Sequence, residues 1–320
     1  MLSSSKKLSI QVLGPGIIIM SHTIISIVTP VYNQCEFIAE TIESVLSQDI
    51  QGLEYLVVDD GSTDEIDEAV KPYLSKIRYI KKSNGGQSNA LNFAWKQCQG
   101  EYIGYISADD RFNKVGALRE LMEFSRAVGA DIVYPNYRLI NATGDPIRDI
   151  KVKNFKRNDL TILLQCSIGP GAIFKKNIFD EIGGWNPSLH QCPDFDFWFR
   201  AAKKGYSFCR LDSMGADYRV HGGSAMVRAV SKERANEILQ VVDLDKSVSL
   251  TNKDKRKQYS NALLISSRLH GQAGRFTICI WWYLRALFYS PVTALSPAGL
   301  RMFLAGLFRI TILKLKGVLR

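Results

Sequence analysis

Short apolar runs alternate with amphipathic stretches through the first third of the chain. Ile24-Ile25-Ser26-Ile27-Val28 is β-branched, the composition of a strand buried on both faces. It breaks at Thr29-Pro30-Val31-Tyr32-Asn33, a loop by its proline and asparagine. Phe37, Ile38, Ile42, Val45 and Leu46 then recur near the helical period. Tyr55-Leu56-Val57-Val58 predicts a second buried strand, closed by Asp59-Asp60-Gly61-Ser62, and Asp64 is placed to cap a helix running to Leu74. Ile77 to Ile80 predicts a third strand, Asn84-Gly85-Gly86-Gln87 a turn, and Ala90, Leu91, Phe93 and Ala94 a helix. The run from Glu101 to Ile106 predicts a fourth strand, followed at once by Ser107-Ala108-Asp109-Asp110. The order β-α-β-α-β-α-β implies an α/β fold with a parallel sheet and right-handed crossovers.

Parallel strands bring their carboxyl ends to one edge, where open α/β sheets bind ligands. Three polar or acidic loops meet there: Thr29 to Asn33, Asp59-Asp60 and Asp109-Asp110. Two adjacent carboxylates repel unless a cation or hydrogen-bond donors lie between them. The alternative for Asp109-Asp110 is a turn and a helix cap. No G-x-G-x-x-G follows the first strand and no G-x-x-x-x-G-K-[ST] occurs, which disfavours dinucleotide and P-loop sites. Carboxylates at two strand ends suit a cation together with hydroxyls or a base N–H. A diphosphate would reach them through a divalent metal, Mg²⁺ or Mn²⁺.

Four segments, in this order and spacing, resemble the family 2 glycosyltransferases of the GT-A fold: Thr29 to Asn33, Val57 to Asp64, Asn84 to Ser88, and Ser107 to Asp110. The likeness extends over about residues 24–225. It implies a mixed, mainly parallel central sheet and an inverting transfer of a sugar from a nucleotide diphosphate to an acceptor hydroxyl. By this resemblance Thr29, Pro30 and Tyr32 border the base, Asp60 accepts its N–H, and Gly86 lies against the nucleotide. Asp109 and Asp110 correspond to the pair that binds ribose and metal; the common Asp-x-Asp-Asp form has Ser107 in first place here.

Val115, Leu118, Leu121 and Met122 mark a further helix, Asp131 to Tyr134 a strand, and Asn141 to Asp145 a hairpin turn. Asn158 is placed to cap a short helix, and Gly169-Pro170-Gly171 precedes a strand at Ala172 to Phe174. Trp185 sits in a loop as an exposed aromatic for the acceptor, or as a packed turn residue. Asp194 to Arg200 opens a helix and resembles the segment that supplies the family's catalytic base, with Pro193 where a Glu is usual. The base carries over to Asp194, since an attacking hydroxyl must lose its proton to a nearby carboxylate; the alternative role is a helix N-cap. His221 is a candidate metal or diphosphate ligand, and Arg219 either neutralises phosphate or pairs with a structural Asp.

Charge then sets the last third apart. The 320 residues carry +10, yet from Lys255 onward there are 11 Lys/Arg and no Asp/Glu, so the first 254 residues net about −1. Helices are predicted over 231–246 and 255–270. Beyond them, Arg301, Arg309, Lys316 and Arg320 fall on one side of a helical wheel and Phe303, Leu304, Leu307, Ile310 and Val318 opposite. That pattern predicts a helix lying in an anionic membrane surface; the alternative is a helix packed on the protein. No uncharged apolar stretch is long enough to span a bilayer, and nothing suggests nucleic acid. Six cysteines without a C-x-x-C read as free thiols in a reducing compartment, and residues 1–23 as an uninformative extension.

The expectation is therefore a catalytic domain at 24–230 and a helical, basic, membrane-associating tail at 231–320. The donor would be a nucleotide-sugar, with UDP favoured, and the acceptor a glycan or lipid-linked glycan at the cytoplasmic face of the membrane. A processive synthase would add spanning helices and Q-x-x-R-W. A nucleotidyltransferase would open with a Gly-rich basic loop in place of Thr29 to Asn33. A non-catalytic nucleotide-sugar-binding protein is the third alternative.

Overall fold

The computed structural model describes residues 9–12, 18–21, 24–166, 168–224, 232–244 and 251–308. A two-stranded antiparallel ribbon, β1 (Ser9–Val12) and β2 (Ile18–Ser21), precedes the main sheet. The predicted parallel strands are β3 (Ile25–Val31), β4 (Leu53–Asp59), β5 (Arg78–Lys81) and β6 (Tyr102–Tyr105). They are joined by α1 (Ile38–Leu46), α2 (Ile66–Val70) with a 3₁₀ turn at Lys71–Tyr73, and α3 (Gln87–Trp95). All pair parallel, with Ile25 opposite Leu53 on one side and Tyr102 on the other.

The second half is antiparallel in part. β7 (Arg111–Phe112), α4 (Ala117–Val128), β8 (Ile132–Ile140) and β9 (Pro146–Ile150) follow. Then come α5 (Arg157–Thr161), β10 (Ile173–Lys175), α6 (Lys176–Ile182), α7 (Pro193–Lys204) and β11 (Phe208–Arg219). Among the described residues the sheet runs β5-β4-β3-β6-β10-β8-β11-β7, with β9 on β8. β10 inserts antiparallel between β6 and β8, so the sheet is mixed and mainly parallel, as expected.

Alternating residues feed two cores. Ile25 and Ile27 face α1 and α4 with Val57 and Leu118; Val28, Leu56 and Val58 face α3, α6 and α7 with Trp95, Phe179 and Phe197. Burial on both faces is why these strands read as unbroken apolar runs.

Two expected caps are not made. Asp64 instead accepts from the Cys35 amide at 2.9 Å, lacing two loops together, and the first helical residue after it is Ile66. Asn158 lies inside α5, whose capping box pairs Lys156 with Asp159. All six cysteines are unpaired.

Four longer helices and one short one complete the described chain: α8 (Lys232–Leu244), α9 (Asn252–Gln272), α10 (Phe276–Tyr289), α11 (Pro291–Ala294) and α12 (Pro297–Leu307). They are packed on the sheet domain. Phe195 and Phe199 of α7 share a core with Ala235, Ile238 and Val242 of α8 and with Leu269 of α9. Leu263 and Leu264 of α9 in turn meet Tyr283 and Ala286 of α10. The wheel drawn over residues 299–318 is described only as far as Phe308; Arg309, Ile310, Lys316, Val318 and Arg320 lie outside the described residues.

Candidate active site

The loops after β3, β4 and β6 enclose a cavity of about 400 Å³ at the predicted sheet edge. Pro30, Tyr32, Asp60, Gly86, Asp109 and Asp110 line it, together with Gln34, Gln87 and Tyr218, which sequence reasoning did not single out. The loops brace one another. Asn33 adopts a left-handed backbone (φ 52°) and its side chain accepts from the Thr63 amide at 2.8 Å. Gly61 (φ 80°) lies so near the next loop that an added Cβ would meet the Asn84 amide nitrogen at 2.8 Å.

Adjacent carboxylates divide their work by direction. Asp59 is fully buried and closes its own turn, accepting from the Ser62 amide at 2.8 Å. Asp60 accepts from the amides of Gly85 at 3.0 Å and Gly86 at 2.7 Å, and from Lys82. It thereby fixes the glycine turn that forms one wall of the cavity. Thr29 does not border the cavity. Its side chain is wholly buried within the sheet and hydrogen-bonds Tyr55 at 2.8 Å, on the face of β3 that it shares with Ile25 and Ile27.

Asp109 and Asp110 differ in the same way. Asp109 presents Oδ2 to His221 Nε2 at 3.0 Å, and both side chains keep some exposure. Asp110 is buried and accepts the Arg219 backbone N–H at 2.9 Å. Burial, then the neighbouring Asp109 charge, hold the Asp110 carboxyl well above the usual carboxylate range. The geometry thus distinguishes an accessible carboxylate, Asp109, from an inward one.

Arg219 is not a phosphate ligand. It is only 2% exposed, and Nε donates to the Asp109 carbonyl at 2.8 Å, Nη1 to the Ala142 carbonyl at 2.9 Å and Nη2 to Glu40. Glu40 also receives Arg111, whose Nε donates to Asp217 at 2.8 Å. This partly buried network clamps the Asp109-Asp110 loop to α1, β11 and the 141–144 hairpin. The Thr41 hydroxyl shares the task at the Ala108 and Asp110 carbonyls, 2.8 and 2.7 Å away. No spacing pattern announces Glu40, Arg111 or Asp217; the fold alone brings them together.

Trp185 is likewise a packed residue. It is 4% exposed, and its ring meets Tyr105 edge-on at 5.1 Å and Trp95 at 6.1 Å. Asn92 holds its backbone on both sides, at 2.8 and 2.7 Å. The loop is anchored by burying the large indole, so the exposed acceptor aromatic is excluded there.

Asp194 lies in the first turn of α7, after Pro193 at the first helical position. Burial raises its carboxyl above the ordinary value, with Arg234 and the Phe195 amide opposing. Tyr105 feels the charges of both Asp194 and Asp110, so its phenol stands between the helix and the cavity loops. Asp196 pairs with Arg200 at 2.8 Å and is structural. Pro193 and His190 face Gly86, Gln87 and Ser88 across a narrower cleft of about 60 Å³. The approach to α7 is held from α8: Glu237, 7% exposed, accepts from the amides of His190, Gln191 and Cys192 at 2.8, 2.7 and 3.1 Å.

A carboxylate oxygen and an imidazole nitrogen converging at one cavity wall are a donor pair suited to a divalent cation. Mg²⁺ commonly takes one or two protein carboxylates and completes its shell with substrate phosphate and water. No group of three or more His, Cys, Asp or Glu that could hold a metal ion occurs among the described residues; Asp109 and His221 offer two protein ligands.

The curled mixed sheet with an acidic strand edge defines the GT-A class of nucleotide-diphospho-sugar transferase folds. Residues 26–183 match the family model described as "Glycosyl transferase family 2", so this segment is a glycosyltransferase domain of that family. An uncharacterised glycosyltransferase of Rickettsia conorii is 34% identical over 190 residues, 56% of this chain and 31% of that protein. The chain thus spans about a third of that relative's length. The structure of S. aureus TarS in complex with UDP-GlcNAc superposes with a TM-score of 0.62 at 18% identity, covering 89% of each chain. The mannosyltransferase PcManGT of Pyrobaculum calidifontis, in complex with GDP-Man and Mn²⁺, gives 0.58 at 16%, covering 91% of this chain and 86% of that one.

Proposed function

We propose that the chain transfers a sugar from a nucleoside diphosphate-sugar to an acceptor hydroxyl, inverting the anomeric carbon. One observation carries the reading: Asp60, Asp109 and Tyr32 line a single cavity at the carboxyl ends of parallel strands, and His221 pairs with Asp109 there. Pro30, Tyr32 and the Asp60-held glycine turn receive the base, and Asp109 faces the ribose and diphosphate. A UDP-sugar is the donor favoured here; of the two neighbours compared, TarS carries UDP-GlcNAc and PcManGT carries GDP-Man.

Asp109 and His221 are the residues that would hold Mg²⁺ or Mn²⁺. When bound, such an ion neutralises charge on the diphosphate. Asp110 and Arg219 set the position of Asp109 from beneath.

Asp194 is the base. It takes the proton of the acceptor hydroxyl as that oxygen attacks the anomeric carbon, while the bond to the diphosphate breaks and the nucleotide leaves with its electron pair. The raised pKa of its carboxyl makes the ionised form a stronger base than a free aspartate. The acceptor is a glycan or lipid-linked glycan, with the enzyme peripheral on the cytoplasmic face of the cell membrane, a placement that the uncompensated basic charge after Asp254 supports.

The test is transfer from a panel of UDP- and GDP-sugars by the wild type and by Asp194→Asn. Loss of base catalysis lowers kcat on the order of 10²–10⁴-fold. Donor affinity stays within twofold. Full turnover by Asp194→Asn would remove the residue from the mechanism.

A further inference from the structure

Large exposed apolar side chains are concentrated in one place. Between Phe276 and Phe308 there are 11 of them, against five in the rest of the described chain. Trp281, Phe288 and Val292 are 51%, 80% and 85% exposed. They follow a pattern. On α10, Trp281, Leu284 and Phe288 recur at three- and four-residue steps, while Cys279, Tyr283 and Ala286 are buried. On α12, Leu300 and Leu304, with Phe308 just past its end, are exposed while Gly299 and Gly306 are buried. Tyr283 stacks on Phe303 at 4.0 Å, which holds the two helices side by side. Each helix therefore has two apolar sides, one packed on the protein and one open.

Monomeric proteins rarely expose such a patch without a use for it. Charge identifies what covers this one. Arg285 lies over the rings of Trp281 and Trp282 at 4.9 and 5.1 Å, and Arg301 is exposed between Leu300 and Leu304. No carboxylate follows Asp254 in the sequence. A second copy seated symmetrically on this face would bring arginines together, and α10, α11 and α12 themselves carry no acidic residue, although Asp243 of α8 interacts with Arg285. An acidic phospholipid surface supplies both an apolar layer and anionic headgroups. No described helix is long and apolar enough to cross a membrane, and the 14 residues of α10 extend about 21 Å against a hydrocarbon core of about 30 Å.

We propose that the open face of α10, α11 and α12 docks flat on an anionic lipid surface, with Trp281, Phe288 and Val292 entering the interface and Arg285 and Arg301 at headgroup level. This assigns a surface to the membrane placement proposed above and rests on that reading, though not on the chemistry of transfer.

Flotation of the full-length protein with two kinds of vesicle tests it, phosphatidylcholine alone and phosphatidylcholine mixed with phosphatidylglycerol. The wild type floats with the mixed vesicles, less so at high salt, and stays down with the neutral ones. Phe288→Glu combined with Val292→Glu loses flotation at least tenfold with an unchanged melting temperature, both side chains being exposed. UDP binding, measured beside it, is the same in both proteins. A wild type that ignores anionic vesicles overturns the proposal. So does a double variant that still floats, or a soluble dimer that the two substitutions dissolve. Deletion of residues 309–320 that first permits flotation would assign the cover to the chain itself and overturn it too. Loss of UDP binding in the wild type would instead count against the donor-site reading and leave the vesicle result standing.

Discussion

At the scale of single residues, the site depends on which way each carboxylate turns. Asp59 and Asp60 are identical in type and adjacent, yet one closes a turn and the other organises the cavity wall. Asp109 and Asp110 repeat this division. Sequence motifs located both pairs, because strand ends are legible from apolar runs. The resemblance singled out Asp60 of the first pair but left Asp109 and Asp110 undivided, since direction is set by the backbone of the turn. Burial was equally hidden: the sequence left Trp185 and Arg219 open between ligand and structural roles, and both side chains are buried, one in an aromatic cluster and one beneath the Asp109 loop.

Asp194 carries a consequence for stability. Its folded pKa is raised by burial, so the fold favours the protonated form. That favourable contribution is complete below the unfolded-state value of about 3.9 and is lost as pH rises through the folded pKa. Asp194→Asn, neutral at every pH, should therefore melt at or above the wild-type temperature at pH 7, with the difference closing toward pH 4. Thermal melts at the two pH values measure this. A lower melting temperature for the variant at pH 7 would show that the ionised carboxylate is bound more favourably than its burial implies.

At the scale of elements, the parallel half was legible. β3, β4 and β6 are buried on both faces and so appear as continuous β-branched runs. β11 was not read, because its half-buried residues interrupt the pattern and its register with β8 shifts twice between Arg210 and Ala216. The dependence of α7 on α8 was also invisible, since Glu237 is remote in sequence from the loop it holds. Three amides received by one buried carboxylate make this contact a firm tie. Glu237→Ala should cost about 1.5–3 kcal/mol, the range for hydrogen bonds to a charged group. It should also lower kcat while leaving UDP affinity unchanged, because the loop leads to Asp194 and not to the nucleotide cavity. Urea unfolding and single-turnover rates check the two halves. Weakened UDP binding with unaltered kcat would place the loop on the donor side.

At the scale of the whole molecule, the chain does not divide into a catalytic part and a free tail. Residues beyond Gly274 share a core with α9. Leu263 and Leu264 are at most 1% exposed and would be uncovered by truncation after Gly274. Two fully buried leucines correspond to about 3–6 kcal/mol. At about 2–4 °C per kcal/mol for a chain of this order, the melting temperature should fall by roughly 10 °C and aggregation should rise. Differential scanning calorimetry of the truncated protein decides it; an unchanged melt would show that α10 to α12 fold independently. The sequence presented two alternatives for this region, a packed helix and a membrane helix. Hydrophobicity all round the helix leaves one apolar face packed and another exposed, which a search for one amphipathic stripe could not reveal.

The central claim is that the acidic strand edge holds a nucleoside diphosphate, with Asp109 and His221 as the cation's protein ligands. Calorimetric titration of UDP into the wild type and into Asp109→Asn, each with Mn²⁺ and with chelator, tests it most directly. The account predicts tight binding by the wild type with Mn²⁺, at least tenfold weaker binding with chelator, and no metal effect in the variant. Equal UDP affinity in the wild type with and without the metal, or metal-dependent binding that survives Asp109→Asn, would contradict it.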